Sequence, residues 1–156
     1  MKMTKEELLM LFHVITKMQG EPKLKTKLVY ALNKNMAAIK DEIEALKSIS
    51  PEVKEGEYKQ RRIALASEYS EKGEDSKPVI EDGNFKILED IKDEFGAKLT
   101  EIDDELIPEL EELSKVWMET LQEETEINIY NIKLEWLPDE INPKDFNILE
   151  TLFEEV

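Results

Sequence analysis

His13 is the only histidine in the 156-residue chain, and cysteine is absent. Disulfides, thiolate metal sites, a cysteine nucleophile and any site needing two imidazoles are thereby excluded. His13 flanks the apolar face of the first helical segment. No serine or aspartate is spaced to complete a nucleophile–base pair, so it reads as a surface or satisfied histidine. Asp103, Asp104 and Glu105, followed by Glu109 and Glu112, form a dense carboxylate cluster. Consecutive helical residues diverge by about 100° each, whereas metal ligands must converge on one point. The cluster therefore reads as a solvated face, and it is the candidate for an acidic interaction face. No phosphate-cradling glycine loop, calcium-hand loop or nucleophile elbow occurs. The basic residues able to hold an anion are Lys23, Lys25 and Lys27, with Arg61 and Arg62. Lys23 and Lys27 share a helical face and Lys25 does not. They read first as scattered surface cations; gathered in an oligomer beside Tyr30 and Tyr58, they could form an anion or nucleotide pocket. The expectation is no catalytic residue, no metal and no cofactor.

These residues must be positioned by helices. Thr4 and Glu7 have capping-box spacing, and Leu8, Leu11, Phe12, Ile15 and Met18 follow at helical intervals. Gly20, free to adopt the left-handed conformation, and Pro22 stop that helix. A second helix from about Lys23 carries Val29, Leu32, Met36, Ile39, Ile43 and Leu46 as a coiled-coil-like seam. Asn35 lies beside this seam, either inside it as a register-setting polar residue or exposed on its flank. Ser50-Pro51-Glu52 marks a break and a fresh helix from Pro51 to about Glu71, with Val53, Tyr58, Leu65 and Tyr69 facing in. Around Asp82-Gly83, residues 73–87 read as a β-hairpin.

Periodicity is clearest in residues 88–124. Leu88, Ile91 and Phe95 are echoed by Leu99, Ile102 and Leu106, then by Leu110, Leu113 and Trp117, and Leu121 opens a fourth round. The repeat of eleven residues keeps one apolar stripe on a nearly straight helix. It stays in phase through Pro108, which favours a kinked helix over a helical hairpin. Such a stripe needs cover, and a chain this short is expected to find it in neighbouring copies. Ile127, Ile129, Tyr130, Ile132, Leu134 and Trp136 make 126–137 a strand candidate, expected to join the hairpin in one antiparallel sheet. Residues 145–155 read as a short helix with Phe146, Leu149 and Phe153 inward.

Charge is uneven. Residues 1–62 hold 13 Lys and Arg against 9 Asp and Glu, and residues 63–156 hold 8 against 28, within a total of −16. The halves are complementary: each can solvate its own outer face, or they can pair within a chain or between subunits, and subunits joined through them should loosen as salt rises. Direct nucleic-acid binding is disfavoured by the net charge. Residues 89–126 carry 15 acidic and 3 basic side chains, which admits mimicry of DNA phosphates. Twelve net charges along about 57 Å of helix is sparse beside one per about 1.7 Å of duplex. The longest apolar run, Leu8 to Phe12, falls far short of a membrane span, and no signal-peptide pattern opens the chain.

The run Lys27-Leu28-Val29-Tyr30-Ala31-Leu32-Asn33-Lys34-Asn35 is followed by Arg62-Ile63-Ala64-Leu65-Ala66-Ser67-Glu68-Tyr69. Next come Glu74-Asp75-Ser76-Lys77-Pro78-Val79-Ile80-Glu81-Asp82-Gly83-Asn84-Phe85-Lys86-Ile87 and Glu126-Ile127-Asn128-Ile129-Tyr130-Asn131-Ile132-Lys133-Leu134. In this order the motifs resemble a family of small tailed-bacteriophage proteins of unknown function. The resemblance covers roughly residues 5–137 and departs at about Glu101 to Glu119, where this chain is extended. It implies a viral origin and action in the cytoplasm of the infected host, and it brings no catalytic residues.

The resulting expectation is a mainly α (α+β) single elongated domain of long antiparallel helices with a small three-stranded antiparallel sheet. It is expected to form a homo-oligomer and to work by binding a host or phage protein, or a nucleotide ligand. Neutralising a host target, a defence protein or a nucleotide signal, is the leading role. Virion assembly as scaffold or chaperone is the alternative.

Overall fold

The computed structural model describes residues 1–154; Glu155, the last residue of the expected terminal helix, lies outside the described residues. In chain order the elements are β1 (Lys2–Thr4), α1 (Lys5–Gln19), α2 (Thr26–Ser48), α3 (Glu52–Tyr69), β2 (Ile80–Glu81), β3 (Asn84–Phe85), α4 (Lys92–Leu121), β4 (Glu124–Glu126) and α5 (Pro143–Leu149). Short 3-10 turns cover Glu89–Ile91, Leu134–Trp136 and Glu150–Leu152. Of the described residues 66 % are helical, as the periodicity implies. It divides into two compact units, Met1–Ile49 with Met118–Val156, and Ser50–Trp117.

In the first unit the capping box forms as expected. Thr4 Oγ1 accepts from the Glu7 N–H at 3.2 Å, and the Thr4 N–H donates to Glu7 Oε2 at 2.8 Å. Gly20 closes α1 in the right-handed region, at φ −81°. The left-handed residue is Lys23, at φ 71°, and α2 begins only at Thr26. α1 and α2 run antiparallel, since Lys5 pairs with Glu42 at one end and Gln19 bonds Asn33 at the other. Between them Leu8, Leu11, Ile15, Leu28, Leu32 and Ile39 are fully buried. The seam is shifted from the expected one. Leu28 and Asn35 face inward, and Val29 is 38 % exposed. The inward set Leu28, Leu32, Asn35, Ile39, Ile43 and Leu46 recurs every three or four residues and so holds one face.

The expected single three-stranded sheet is instead two separate two-stranded pairings, β1 with β4 and β2 with β3. Thr4 ends β1 and also caps α1, so the strand is hidden in a helix-start signal. Its partner covers only Glu124–Glu126, with Lys2 opposite Glu126. The strand expected over 126–137 ends there: Ile127 exchanges bonds with Met1 as the last rung of the β1–β4 pairing, and beyond it the backbone bonds elsewhere, the Ile132 N–H donating to the Leu152 carbonyl. Between them Asn35 substitutes for a neighbouring strand. Its Nδ2 donates to the Tyr130 carbonyl at 2.8 Å while its Oδ1 accepts from the Tyr130 N–H at 2.7 Å. At 1 % exposure, with a further bond from Nδ2 to the Ala31 carbonyl, this amide is fully satisfied. Pro143 opens α5 behind an Asn142 cap. Phe146 and Phe153 meet edge to face at 5.7 Å.

In the second unit Asp82 and Gly83 take φ 51° and 79° in the two-residue turn joining β2 to β3, as the Asp-Gly signal requires. Residues 88–91 form an extended start and a 3-10 turn, so the long helix is shorter than expected at both ends. Pro108 lies inside α4, which continues past it, so the helical-hairpin alternative is set aside. α3 runs antiparallel to α4, with Lys54 on Glu109 at one end and Tyr69 on Glu94 at the other. α3 buries no residue, and Val53, expected to face in, is 82 % exposed.

Candidate functional site

The basic and acidic residues singled out from sequence meet each other in the second unit. Arg61 bonds Glu105 at 3.0 Å, and Arg62 bonds Asp103 at 2.6 Å. Lys54 bonds Glu109 at 2.8 Å. Tyr58 donates its hydroxyl to Asp103 at 2.8 Å, and the Arg62 guanidinium lies 5.5 Å from the Tyr58 ring centre. The antiparallel pairing explains the match, because a residue one turn further along α3 faces one a turn earlier on α4. The Tyr58 hydroxyl, with Arg62 beside it, holds the Asp103 carboxyl below its usual range despite partial burial. Arg61 does the same for Glu105. Tyr58 and Arg61 are raised, each chiefly by the carboxylate it bonds. An anion reaching Arg61 or Arg62 would have to displace a carboxylate already in place. Asp104 and Glu112 are exposed outside this ladder.

Beside the ladder runs the apolar stripe. Of its ten side chains only Ile102 and Leu106 are buried. Leu88 is 41 % exposed, and Ile91, Phe95, Leu99, Leu110, Leu113, Trp117 and Leu121 are half-buried. Phe95 and Leu99 line an open apolar groove of about 330 Å³ with Ile63, Ala66, Phe85 and Ile87. A second shallow groove at Pro108 is lined by Lys54, Glu109, Glu112 and Leu113.

Lys23, Lys25 and Lys27 lie in the first unit. Lys25 stands at the first position before α2, where its side chain makes no capping bond, and donates to the Glu135 carbonyl, while Lys23 and Lys27 are exposed. Sequence spacing did not single out Lys54 or Lys34. Lys34 stands 5.7 Å from the ring centre of Tyr30, which itself meets Tyr130 edge to face at 5.6 Å. A signal for this patch was present, since residues 22–40 contain five lysines and no Asp or Glu.

His13 is exposed and its ring packs against Phe12 at 5.6 Å. Among the described residues no three Asp, Glu or His side chains gather as metal ligands would, and no helix is long and apolar enough to cross a membrane. No protein-family model, curated protein or solved structure matches the chain.

Proposed function

We propose that this protein is a non-enzymatic binding protein that self-associates through the α3/α4 unit. In keeping with the phage-protein resemblance, it acts on a host target in the cytoplasm of the infected cell. The observation that carries this reading is the apolar stripe that runs from Leu88 along α4, two side chains buried out of ten. Two antiparallel helices cannot enclose a core alone, and a second pair laid across them completes a four-helix arrangement. The cations of residues 1–62 nearest this stripe, Lys54, Arg61 and Arg62, are already spent on carboxylates of the same chain. What is left for a neighbour is apolar surface on a unit with 10 basic and 20 acidic residues over 50–117. Salt therefore strengthens the association by screening like charge, the reverse of what complementary halves would show.

Sedimentation equilibrium across concentration and salt tests this reading. The expected result is a mass that grows with both, and a Leu110→Glu/Leu113→Glu variant that stays monomeric. A wild-type monomer at every concentration and salt overturns it. So does an assembly that dissociates as salt rises, which supports pairing of the charged halves instead.

A further inference from the structure

We infer that the face built from α2 and the segment around Tyr130 is a docking surface for an acidic polypeptide, the partner class of the binding role proposed above. Its composition stands apart from the rest of the molecule. Residues 22–40 and 127–134 together hold six lysines and no Asp or Glu, in a chain with 37 acidic residues among 156. The Asn35 amide clamps the two segments together through both backbone groups of Tyr130.

On this base stand two aromatic rings. Tyr30 is 53 % exposed and Tyr130 is 42 % exposed, and their rings meet edge to face at 5.6 Å. Large aromatic side chains with few rotatable bonds lose little entropy on contact, which is why such residues dominate interface energetics. Lys27, Tyr30 and Lys34 lie on one side of α2, three and four residues apart. Neither lysine pairs with a carboxylate among the described residues. The surface thus offers two aromatic anchors flanked by free cations, and the complementary partner alternates apolar and acidic side chains.

Dimensions favour a polypeptide over a nucleic acid. Lys27 and Lys34 span about 10 Å of helix, close to the roughly 8 Å screening length at physiological salt. A nucleic-acid strand carries its charge past such a patch, onto a chain of net charge −16. A peptide can confine its carboxylates to the patch.

The test uses the full chain and fluorescence anisotropy at physiological salt. The probes are a labelled peptide of about a dozen residues alternating Glu with Leu and Tyr, its Lys-for-Glu counterpart, and a labelled oligo-dT. Saturable binding of the acidic peptide alone is expected. Tyr30→Ala should weaken it roughly tenfold or more, and Lys27→Gln/Lys34→Gln should weaken it and flatten its salt dependence. The same samples are weighed by light scattering, where these variants leave the mass unchanged. A monomeric wild type that still binds the peptide defeats only the α3/α4 self-association. No peptide binding, unaltered binding by the variants, or oligo-dT binding at least as tight overturns the docking surface. Loss of self-association in the Tyr30 or lysine variants overturns it too, in favour of a second copy as occupant.

Discussion

The two units hold their helices together by different means. In the first, α1 and α2 close over Leu8, Leu11, Ile15, Leu28, Leu32 and Ile39, all without solvent access, and Leu149 and Leu152 are equally inaccessible. In the second, α3 buries nothing and α4 buries Ile102 and Leu106. Charged side chains bridge the gap there, and most of the stripe is left half-covered. α1, α2 and α4 are amphipathic to similar degrees, whereas α3 is more polar and less amphipathic than any of them. How complete a core becomes follows from the apolar faces supplied and from the number of elements available to cover each one. The first unit has α1, α2, α5 and the pinned segment around Tyr130 to share that task, whereas the second has two helices and a hairpin.

The same substitution in each unit gives the largest contrast. Leu32→Ala removes a fully buried side chain and should cost about 2–5 kcal/mol, since a cavity adds to the lost transfer energy. Leu113→Ala acts on a half-buried side chain and should cost roughly 1 kcal/mol in the monomer. Urea unfolding at low protein concentration, followed at Trp117 and Trp136 in single-tryptophan variants, measures both. Equal losses would mean that the second unit has a closed core after all.

Next in size is Asn35→Ala. It leaves both backbone groups of Tyr130 without their partner, at a cost of about 2 kcal/mol. Amide exchange at Tyr130 should quicken beyond what global destabilisation produces. Exchange unchanged relative to neighbouring amides would show that Asn35 does not anchor the segment.

That clamp marks where legibility in the sequence ends. Capping at Thr4, the turn at Asp82-Gly83 and the phase of the α4 stripe were all readable, because each depends on residues within a few positions of one another. Asn35 and Tyr130 stand 95 residues apart, and no local spacing announces such a contact. β1 escaped because Thr4 belongs to two elements at once, and the 126–137 segment because strand propensity says nothing of where a strand's partners lie. The candidate site was half legible. Its charged residues were identified as separate basic and acidic sets, but their mutual neutralisation depends on the antiparallel register of α3 and α4. Periodicity reveals which face of a helix is apolar and is silent on what covers it.

A smaller effect isolates the helix start in the well-packed unit. Thr4→Ala removes the hydroxyl that accepts from Glu7 and should cost about 1 kcal/mol. Thr4→Ser keeps that acceptor and should recover most of the loss in thermal unfolding. A serine variant no better than alanine would place the effect in β1 packing rather than in the cap.

The smallest effect separates the units by pH. The carboxyls of Asp103 and Glu105 are depressed in the folded chain below their usual 3.8 and 4.5, by Tyr58 and Arg61 respectively. A depressed carboxyl contributes stability that is complete above the unfolded value and is lost as pH falls through the folded one. Tyr58 and Lys54 lie above their usual 10.0 and 10.5, raised by Asp103 and Glu109, so their contribution is complete below those values and is lost on further rise. The α3/α4 ladder should therefore hold steady between roughly pH 5 and 10 and loosen outside that range. Protonating carboxylates also relieves the net charge of −16, which favours compaction everywhere and opposes the acid-side change. Trp117 emission in a Trp136→Phe background reads the second unit separately. An acid-side shift should appear there, below the usual carboxylate values, and shrink in Asp103→Asn/Glu105→Gln. Were the double variant to titrate like the parent, the ladder would be a surface decoration, and the apolar stripe alone would join α3 to α4.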